Sequence, residues 1–250
     1  MAQATSSQIQ PYTGDKKALK PLVLYSHSLG PNPWKVAIIL TELGLPYEPI
    51  YQQMKTMKEP AYESINPNGR VPSLHDPNTG LTLWESGAII MYLLSTYDPT
   101  YQLHAPPTSP DHWYQQQFLH FQVSGQGPYY GQCMWFSRYH PEKIPSAIER
   151  YRNEIRRVVG VLNRALTDAG GEWLVGGKCS YADLVFLMWD HRLEFNLTAN
   201  GGEEAEKAES EKLKAAYPVW YAWRQRMRER SSVSKVLAEQ LKVLEESPGI

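Results

Sequence analysis

An asparagine stands between two prolines, immediately before an apolar run, in the stretch SHSLGPNPWK at residues 26–35. Proline is favoured in the first turn of a helix and asparagine is a common N-cap, so this pattern predicts a helix start. The spacing also fits a second role, in which the amide of Asn32 points at a molecule bound at that helix end. The residues by themselves leave both interpretations of Asn32 open.

Two further segments in the same half of the chain carry groups suited to binding. Pro72 begins a predicted strand, and a cis Val71–Pro72 bond would turn the Val71 backbone outward to pair with an extended, peptide-like ligand. Glu85 and Ser86 stand where a predicted strand passes into a helix. Free amides, a hydroxyl and the helix dipole favour a ligand carboxylate there, and Glu85 can accept from an ammonium group. Capping by Ser86 and a surface position for Glu85 are the open alternatives.

Conventional catalytic motifs are missing from the sequence. It contains no GxSxG, HExxH, P-loop or GxGxxG pattern, and its seven histidines lack the spacing of metal ligands. We therefore predict no metal site and no metal cofactor.

Composition limits the partners and the compartment. The formal net charge of −1 gives no reason to expect nucleic acid or an anionic membrane as a partner. No apolar run approaches the roughly 20 residues needed to span a bilayer. The first 20 residues lack the apolar stretch of a secretory signal, and Cys133 and Cys179 are too far apart for a CxxC pair. We expect a cytoplasmic protein.

The elements that must position the binding groups follow from periodicity and turn residues. We predict strands at 22–27, 47–52, 71–76 and 81–85, a helix after the opening motif that Gly44 ends, and helices at 59–65 and 86–97. The order β-α-β-α-β-β-α predicts an α/β domain with a mixed sheet.

The remaining chain divides by composition. Residues 1–20 are predicted to be a disordered tail, 21–97 the first domain, 98–110 a proline-rich linker and 111–250 an all-helical domain. The run 184–189 is apolar all round and is predicted to be the buried centre of that domain. The charged segment 199–216 is predicted to be a mobile loop.

Six segments together carry a family resemblance over nearly all of residues 21–243. They are PNPWKVAIILTELGLPYE (31–48), NPNGRVPSL (66–74), WESGAIIMYL (84–93), SGQGPYYGQ (124–132), IPSAIERYRNEIRRV (144–158) and WLVGGKCSYADL (173–184). The chain resembles a cytosolic glutathione transferase, and within that family the fungal branch related to the yeast nitrogen-regulator prion protein. The resemblance implies a thioredoxin-like N-terminal domain with a mixed four-stranded sheet and an all-α C-terminal domain.

The resemblance also implies a binding site for glutathione as co-substrate. Val71 would pair through its backbone with the cysteinyl part beside a cis Pro72, and Glu85 and Ser86 would hold the γ-glutamyl end. Lys58 and Arg70 would meet the glycine carboxylate. Asn32 matches the asparagine that faces the glutathione sulfur, where an amide N–H at a helix N-terminus favours the thiolate.

The sequence departs from the pattern of its relatives at three places. Gly30 stands where bacterial relatives carry a threonine, so a second donor to the sulfur is missing there. Met57 stands where the yeast branch has a histidine, which puts one glutathione contact in question. The loop before the first helix holds no cysteine, which disfavours a mixed-disulfide mechanism.

A second substrate is expected in a cleft between the domains. Gln126, Tyr130 and Met134 recur at i, i+4 and i+8, and with Trp34 they are predicted to line a site for a bulky, hydrophobic electrophile. An aromatic core stripe is the open alternative for these residues.

The resemblance implies a homodimeric transferase that serves detoxification or natural-product biosynthesis (secondary metabolism). The alternatives are an isomerase of a polyene or conjugated natural product, a glutathionyl-disulfide reductase, and a non-catalytic regulator that binds glutathione.

Overall fold

The computed structural model describes residues 9–198 and 201–246 and divides into two compact units. Among the described residues, one unit holds 9–104 together with 229–246, and the other holds those between Ala105 and Arg228. The division falls inside the predicted linker. Part of that linker is ordered, because the Asp98 carboxylate accepts from the backbone N–H of Leu103 at 2.8 Å and contacts Nδ1 of His104 at 3.0 Å.

The first unit alternates strands and helices. Its elements include β1 (Leu22–Ser26), α1 (Pro31–Glu42), β2 (Tyr47–Tyr51), α2 (Pro60–Glu63), β3 (Ser73–Asp76), β4 (Leu81–Trp84) and α3 (Ser86–Tyr97). The sheet order is β2-β1-β3-β4, with β1 and β2 parallel and the other two pairs antiparallel. The predicted mixed four-stranded sheet is confirmed, and the element bounds agree to within a few residues.

Helix α1 is held in place by apolar packing. It packs against β1 and against α3. Val36, Ile39 and Leu40 are fully buried on α1, as are Ile89 and Leu93 on α3. Enclosing one such side chain contributes about 1.5–3 kcal/mol, so several of them fix α1 firmly on the sheet. The position of its first turn, which carries Asn32, follows from this packing.

Residues 9–20 are ordered, so the predicted disorder is wrong for this part. The backbone N–H of Tyr12 donates to the carbonyl of Thr96 at 2.7 Å, and Nζ of Lys16 donates to the carbonyl of Leu43 at 2.9 Å. These bonds tie the segment to the ends of α3 and α1, a long-range pairing that composition does not reveal. The predicted tail at residues 1–8 lies outside the described residues.

The final helix, α11 (Ser231–Glu246), belongs to the first unit and packs on α1. The Arg230 guanidinium donates twice to the Glu42 carboxylate, at 2.6 and 2.8 Å, and Nε2 of Gln240 donates to the carbonyl of Ser28 at 3.1 Å. The contacts therefore group α11 with the first unit, whereas the predicted bounds of the helical domain at 111–250 stay a prediction.

The second unit is helical, as predicted. Its helices include α4 (Pro110–Phe121), α5 (Gly127–Met134), α6 (Pro145–Asp168), α7 (Tyr181–Asp190), α8 (Leu193–Thr198), α9 (Gly202–Ala216) and α10 (Pro218–Arg228). Residues 184–187 of α7 are fully buried. Ser180 and Asp183 form a capping box at the start of α7, and Oδ1 of Asp183 also accepts from Nε1 of Trp223 at 2.9 Å.

One local prediction for the second unit is wrong. Residues 202–216 form α9 rather than a loop, with Glu203 and Glu204 in its first turn and Lys214 in its last, an arrangement that suits the helix dipole. Residues 199 and 200 lie outside the described residues. Wider π-helical turns at 122–126 and 135–139 continue the chain on both sides of α5.

Candidate functional site

The sheet register brings three predicted binding segments to one edge. β1 and β2 run parallel and end at this edge. β3 is antiparallel to β1 and begins here, with Ser73 opposite both Tyr25 of β1 and Trp84 of β4. β4 consequently ends here as well. The first turn of α1, the Val71–Pro72 pair and the Glu85–Ser86 pair therefore lie at the same edge of the sheet.

Asn32 lies in the first turn of α1 and is half-buried, but it does not cap the helix. The N-cap is Gly30, whose backbone is extended at φ −72° and ψ 116°, and no side chain caps this helix. The capping interpretation of Asn32 is therefore wrong, since a cap must precede the first helical residue. Asn32 lies at the positive end of the α1 dipole.

The segment before β3 has the predicted backbone form. The Val71–Pro72 peptide bond is cis, Pro72 is buried and Val71 is half-buried. The hydroxyl of Tyr62 donates to the carbonyl of Arg70 at 2.8 Å and contacts Oγ of Ser73 at 3.0 Å. These two bonds hold the chain on either side of Val71. Within residues 9–198 and 201–246, neither the N–H nor the carbonyl of Val71 has a hydrogen-bond partner.

Glu85 has an unusual backbone at the start of α3. It is the N-cap of that helix with φ 72° and ψ 111°, a left-handed conformation that side-chain-bearing residues adopt at a cost of about 1–3 kcal/mol. Its side chain makes no capping bond and is exposed. Ser86 is the first helical residue and is 5% exposed. The carboxylate of Glu85 is thus available beside the amides that begin α3.

Lys58 and Arg70 lie beside the turn that leads to Val71. Both side chains are exposed, and Nζ of Lys58 donates to the carbonyl of Asn68 at 3.1 Å. Gly69 has φ 58°, and a Cβ there would lie 2.8 Å from the backbone carbonyl oxygen of Met57, so this turn requires glycine. Met57, which departs from the expected pattern of the yeast branch, is buried at 5% exposure and is an apolar core residue.

Lys35 and His27 also lie near this edge, although no motif in the sequence marks them. Lys35 on α1 is 1% exposed, and burial lowers its pKa to about 7 while the charge of Glu85 acts in the opposite direction. His27 is 7% exposed, and its Nδ1 accepts from the N–H of Leu29 at 3.1 Å, which leaves the proton on Nε2. The lysine inside the apolar run PWKVAII was the available signal for the first of them.

The residues predicted to contact the second substrate are mostly interior. Nε2 of Gln126 donates to Oδ1 of Asp190 at 2.8 Å, the hydroxyl of Tyr130 donates to the same atom at 3.1 Å, and neither side chain is exposed. Trp34 is 2% exposed, with its indole N–H bound by backbone carbonyls. Gln126, Tyr130 and Trp34 are thus core residues, as the alternative of an aromatic core stripe predicts, because they are buried and their polar groups are hydrogen-bonded within the protein. Met134 is half-buried and stays a prediction.

The described residues hold neither a metal-binding cluster nor a membrane-spanning helix. In residues 9–198 and 201–246, no group of histidine, cysteine, aspartate and glutamate side chains is arranged to hold a metal ion. Over the same ranges, none of the helices combines the length and apolarity that crossing a bilayer requires.

Comparison with protein families identifies matches in both units. The model for the glutathione S-transferase N-terminal domain matches residues 24–101, and the model for the C-terminal domain matches residues 132–240. The glutathione S-transferase-like protein gedE of Aspergillus terreus is 47% identical over 84% of this chain and 91% of its own length.

Two further relatives extend the comparison. Glutathione S-transferase 1 of Schizosaccharomyces pombe is 41% identical over 89% of this chain and 97% of its own length. The crystal structure of the glutathione transferase URE2P6 from Phanerochaete chrysosporium, in complex with oxidized glutathione, aligns with a TM-score of 0.81. It is 45% identical and covers 90% of this chain and 98% of that one.

Proposed function

The chain belongs to the glutathione S-transferase family, and we propose that it binds glutathione at the sheet edge described above and ionises its thiol for attack on a bulky, hydrophobic electrophile. The single observation that carries this proposal is the register, which brings Val71, Glu85 and Asn32 to one edge of one sheet.

The proposed binding mode matches each group of the tripeptide to a group of opposite character. The N–H and carbonyl of Val71 pair with the cysteinyl backbone of the ligand. Glu85 accepts from the γ-glutamyl ammonium group, and Ser86 with the first amides of α3 binds its carboxylate. Lys58 and Arg70 meet the glycine carboxylate as exposed cations. The cysteinyl sulfur then lies toward the first turn of α1.

Asn32 supplies the chemistry in this proposal. A free thiol has a pKa of about 8.5, so only a few per cent is thiolate at neutral pH. An amide N–H donating to the sulfur at a helix N-terminus favours the anion, and lowering the thiol pKa by two units requires about 2.7 kcal/mol. The thiolate attacks an electrophilic carbon, a C–S bond forms, and the leaving group departs with its electron pair.

Disulfide reduction through a protein cysteine is not supported. The free cysteines of the described residues, Cys133 and Cys179, are both buried in the second unit, and burial raises the pKa of the Cys133 thiol. Conjugation needs only the ligand's own sulfur, as does isomerisation of a conjugated compound. We place conjugation first and isomerisation second.

The oligomeric state, the compartment and the biological role are further parts of the proposal. We propose a cytoplasmic homodimer that serves detoxification or a natural-product pathway. Light scattering of the purified chain at micromolar concentration should give a mass near twice 28.6 kDa. A monomer under those conditions would overturn the dimer and leave the glutathione site untouched.

A turnover screen tests the proposed activity. The purified chain is incubated with glutathione and, in parallel, with an aryl halide such as 1-chloro-2,4-dinitrobenzene, an epoxide, a conjugated polyene and a glutathionyl disulfide. We expect conjugation of at least one electrophile, with a rate that falls in Asn32→Ala. Glutathione binding without any turnover would instead favour a non-catalytic regulator.

A further inference from the structure

The final helix is bonded to the loop that leads into the proposed thiol-binding end of α1. Gln240 lies on α11 and is 4% exposed, and its Nε2 donates to the backbone carbonyl of Ser28 at 3.1 Å. Ser28 belongs to the loop between β1 and α1, four residues before Asn32. A buried side chain 212 residues further along the chain thus holds the backbone next to the proposed site.

The Ser28 carbonyl is part of a small hydrogen-bond network in this loop. Nε1 of Trp34, on α1, donates to the carbonyl of Ser28 at 2.9 Å and to that of His27 at 3.1 Å. The N–H of Gly30 donates to the same His27 carbonyl at 3.2 Å. Gln240 joins this network from a different helix, so the position of the loop depends on α11 as well as on α1.

The first turn of α1 has little support of its own. Its N-cap is Gly30, and no side chain of the described residues caps the helix. Pro31 and Pro33 have no backbone N–H, so neither can donate to a carbonyl of the preceding loop. The two bonds to the Ser28 carbonyl therefore take a larger share in orienting the turn that carries Asn32.

Helix α11 is anchored independently of its bond to the loop. Val233 and Val236 are fully buried, and the helix packs on α1. The Arg230 guanidinium donates at 2.6 and 2.8 Å to Glu42, which is the last residue of α1. Because these contacts fix α11 near the far end of α1, Gln240 acts from a firm support when it holds the loop.

We propose that Gln240 is a positioning residue for thiolate formation, because its bond to the Ser28 carbonyl holds the loop in the orientation that aims the Asn32 amide at the glutathione sulfur. This inference rests on the proposed function. Gln240 acts through the loop and not through contact with the ligand. A hydrogen bond weakens steeply as its angle and length depart from the optimum, and a misplacement of about 1 Å can lower a rate about 100-fold.

The first test variant is Gln240→Met, which keeps the length of the side chain but cannot donate. Thiolate absorbance of bound glutathione, followed against pH, gives the ionisation midpoint, and steady-state kinetics with 1-chloro-2,4-dinitrobenzene give kcat and KM. We expect a midpoint about one pH unit higher than in the wild type. The thiolate fraction, and with it kcat, then falls about tenfold at lower pH. The KM for glutathione should stay within about twofold, because the proposed contacts to the rest of the ligand are untouched.

The second test variant, Gln240→Glu, gives a readout that a purely structural role would not move. An ionised carboxylate repels the Ser28 carbonyl, whereas a protonated carboxyl group donates its O–H to it. Burial favours the protonated form. We therefore expect the ratio of the variant's kcat to that of the wild type to rise at least fivefold as the pH falls from 8 to 6.

Tyr47→Phe is the matched control. The Tyr47 hydroxyl donates to Glu239 of α11 at 3.2 Å, so this variant also loses one bond to that helix. Tyr47 lies opposite Leu22 at the start of β2, at the end of the sheet away from the proposed site. The melting temperature should fall by about 2–4 °C, as in Gln240→Met, whereas the ionisation midpoint and kcat should equal those of the wild type.

The possible failures are distinguishable. If the wild type does not bind glutathione, the proposed function fails and this inference fails with it. If the midpoint rises in Asn32→Ala but not in Gln240→Met, the glutathione site stands and the positioning role is wrong. An equal rise in Tyr47→Phe would assign the effect to α11 as a whole and also overturn the role of Gln240. If Gln240→Met does not fold, Gln240→Glu still decides, since a kcat ratio that does not rise at lower pH contradicts the proposal.

Discussion

Gly30 caps helix α1, and Asn32 lies two residues further on, inside the first turn. The asparagine side chain is therefore not the group that satisfies the N-terminal N–H donors of the helix, which is the usual structural reason for such a residue. It is half-buried at the positive end of the helix dipole, at the sheet edge that Val71 and Glu85 share. Because Asn32 does not cap α1, a role of its side chain in ligand binding can be tested separately from helix capping.

The first prediction concerns the stability of an Asn32 variant. Because Gly30 holds the cap position, Asn32→Ala should lower the free energy of unfolding by less than about 0.5 kcal/mol. The control is Ser180→Ala, which removes one side of the buried capping box of α7 and should cost about 1–2 kcal/mol. Urea denaturation measures both. A loss in Asn32→Ala as large as in the control would restore a structural role for the asparagine.

The second prediction concerns the γ-glutamyl subsite. Glu85→Ala and Ser86→Ala should each weaken glutathione binding by about 1–3 kcal/mol, because a charged ligand group loses its partner. Glu48→Ala is the matched control, since Glu48 is an exposed acid opposite Val23, near the start of β1 and away from the binding edge. Calorimetry should show unchanged affinity for the control. Unchanged affinity in both test variants would mean that the ligand binds elsewhere.

The third prediction separates core from substrate site at Tyr130. Its hydroxyl is one of the donors to Asp190, with Nε2 of Gln126 and Nε1 of Trp220. Tyr130→Phe should therefore lower the free energy of unfolding by about 1 kcal/mol and leave the KM for the electrophile unchanged. Thermal melting and steady-state kinetics measure the two quantities. A changed KM at unchanged stability would return Tyr130 to the substrate site.

The fourth prediction is a pH dependence of stability that Lys35 imposes. Its pKa is about 7 in the folded protein and near its ordinary value of 10.5 in the unfolded chain. Between these values the unfolded chain binds more protons, so the free energy of unfolding rises with pH across this window and is independent of this group below it. Lys35→Met lacks the effect and should be more stable than the wild type at pH 7.

The quantity to measure is the difference in the free energy of unfolding between Lys35→Met and the wild type. Taking this difference cancels the titration of the other groups. Urea denaturation at pH 7 and at pH 9 should give a stability advantage for Lys35→Met that shrinks at the higher pH. An advantage that is the same at both values would show that Lys35 keeps its ordinary pKa in the folded protein.

Much of the fold follows from local sequence signals. The prolines and glycines at turns and the periodic apolar positions define β1 to β4 and α1 to α3 closely. Composition alone led to a wrong prediction at α9. Its many charged residues suggested a loop, but they are equally compatible with a solvent-exposed helix. The placement of α11 depends on pairs such as Arg230 and Glu42, which are 188 residues apart. No local pattern encodes such pairs.

Local sequence signals indicate only some of the residues at the candidate site. Val71, Pro72, Glu85 and Ser86 were found because each stands at a junction of strand, turn or helix that local chemistry marks. Lys35 was missed because the burial of a charged side chain is a property of packing rather than of spacing. The i, i+4 spacing of Gln126 and Tyr130 shows only that both lie on one face of a helix. The spacing does not reveal whether that face binds a ligand or, as in the structure, Asp190.

In the proposed function, the Asn32 amide stabilises the glutathione thiolate. Titration of bound glutathione, followed by thiolate absorbance in the ultraviolet, tests it most directly in the wild type and in Asn32→Ala. We expect nearly equal glutathione affinity, a higher ionisation midpoint in the variant, and turnover that falls roughly 10- to 100-fold for a lost bond of about 1.5–3 kcal/mol. An unmoved ionisation midpoint in Asn32→Ala would contradict it.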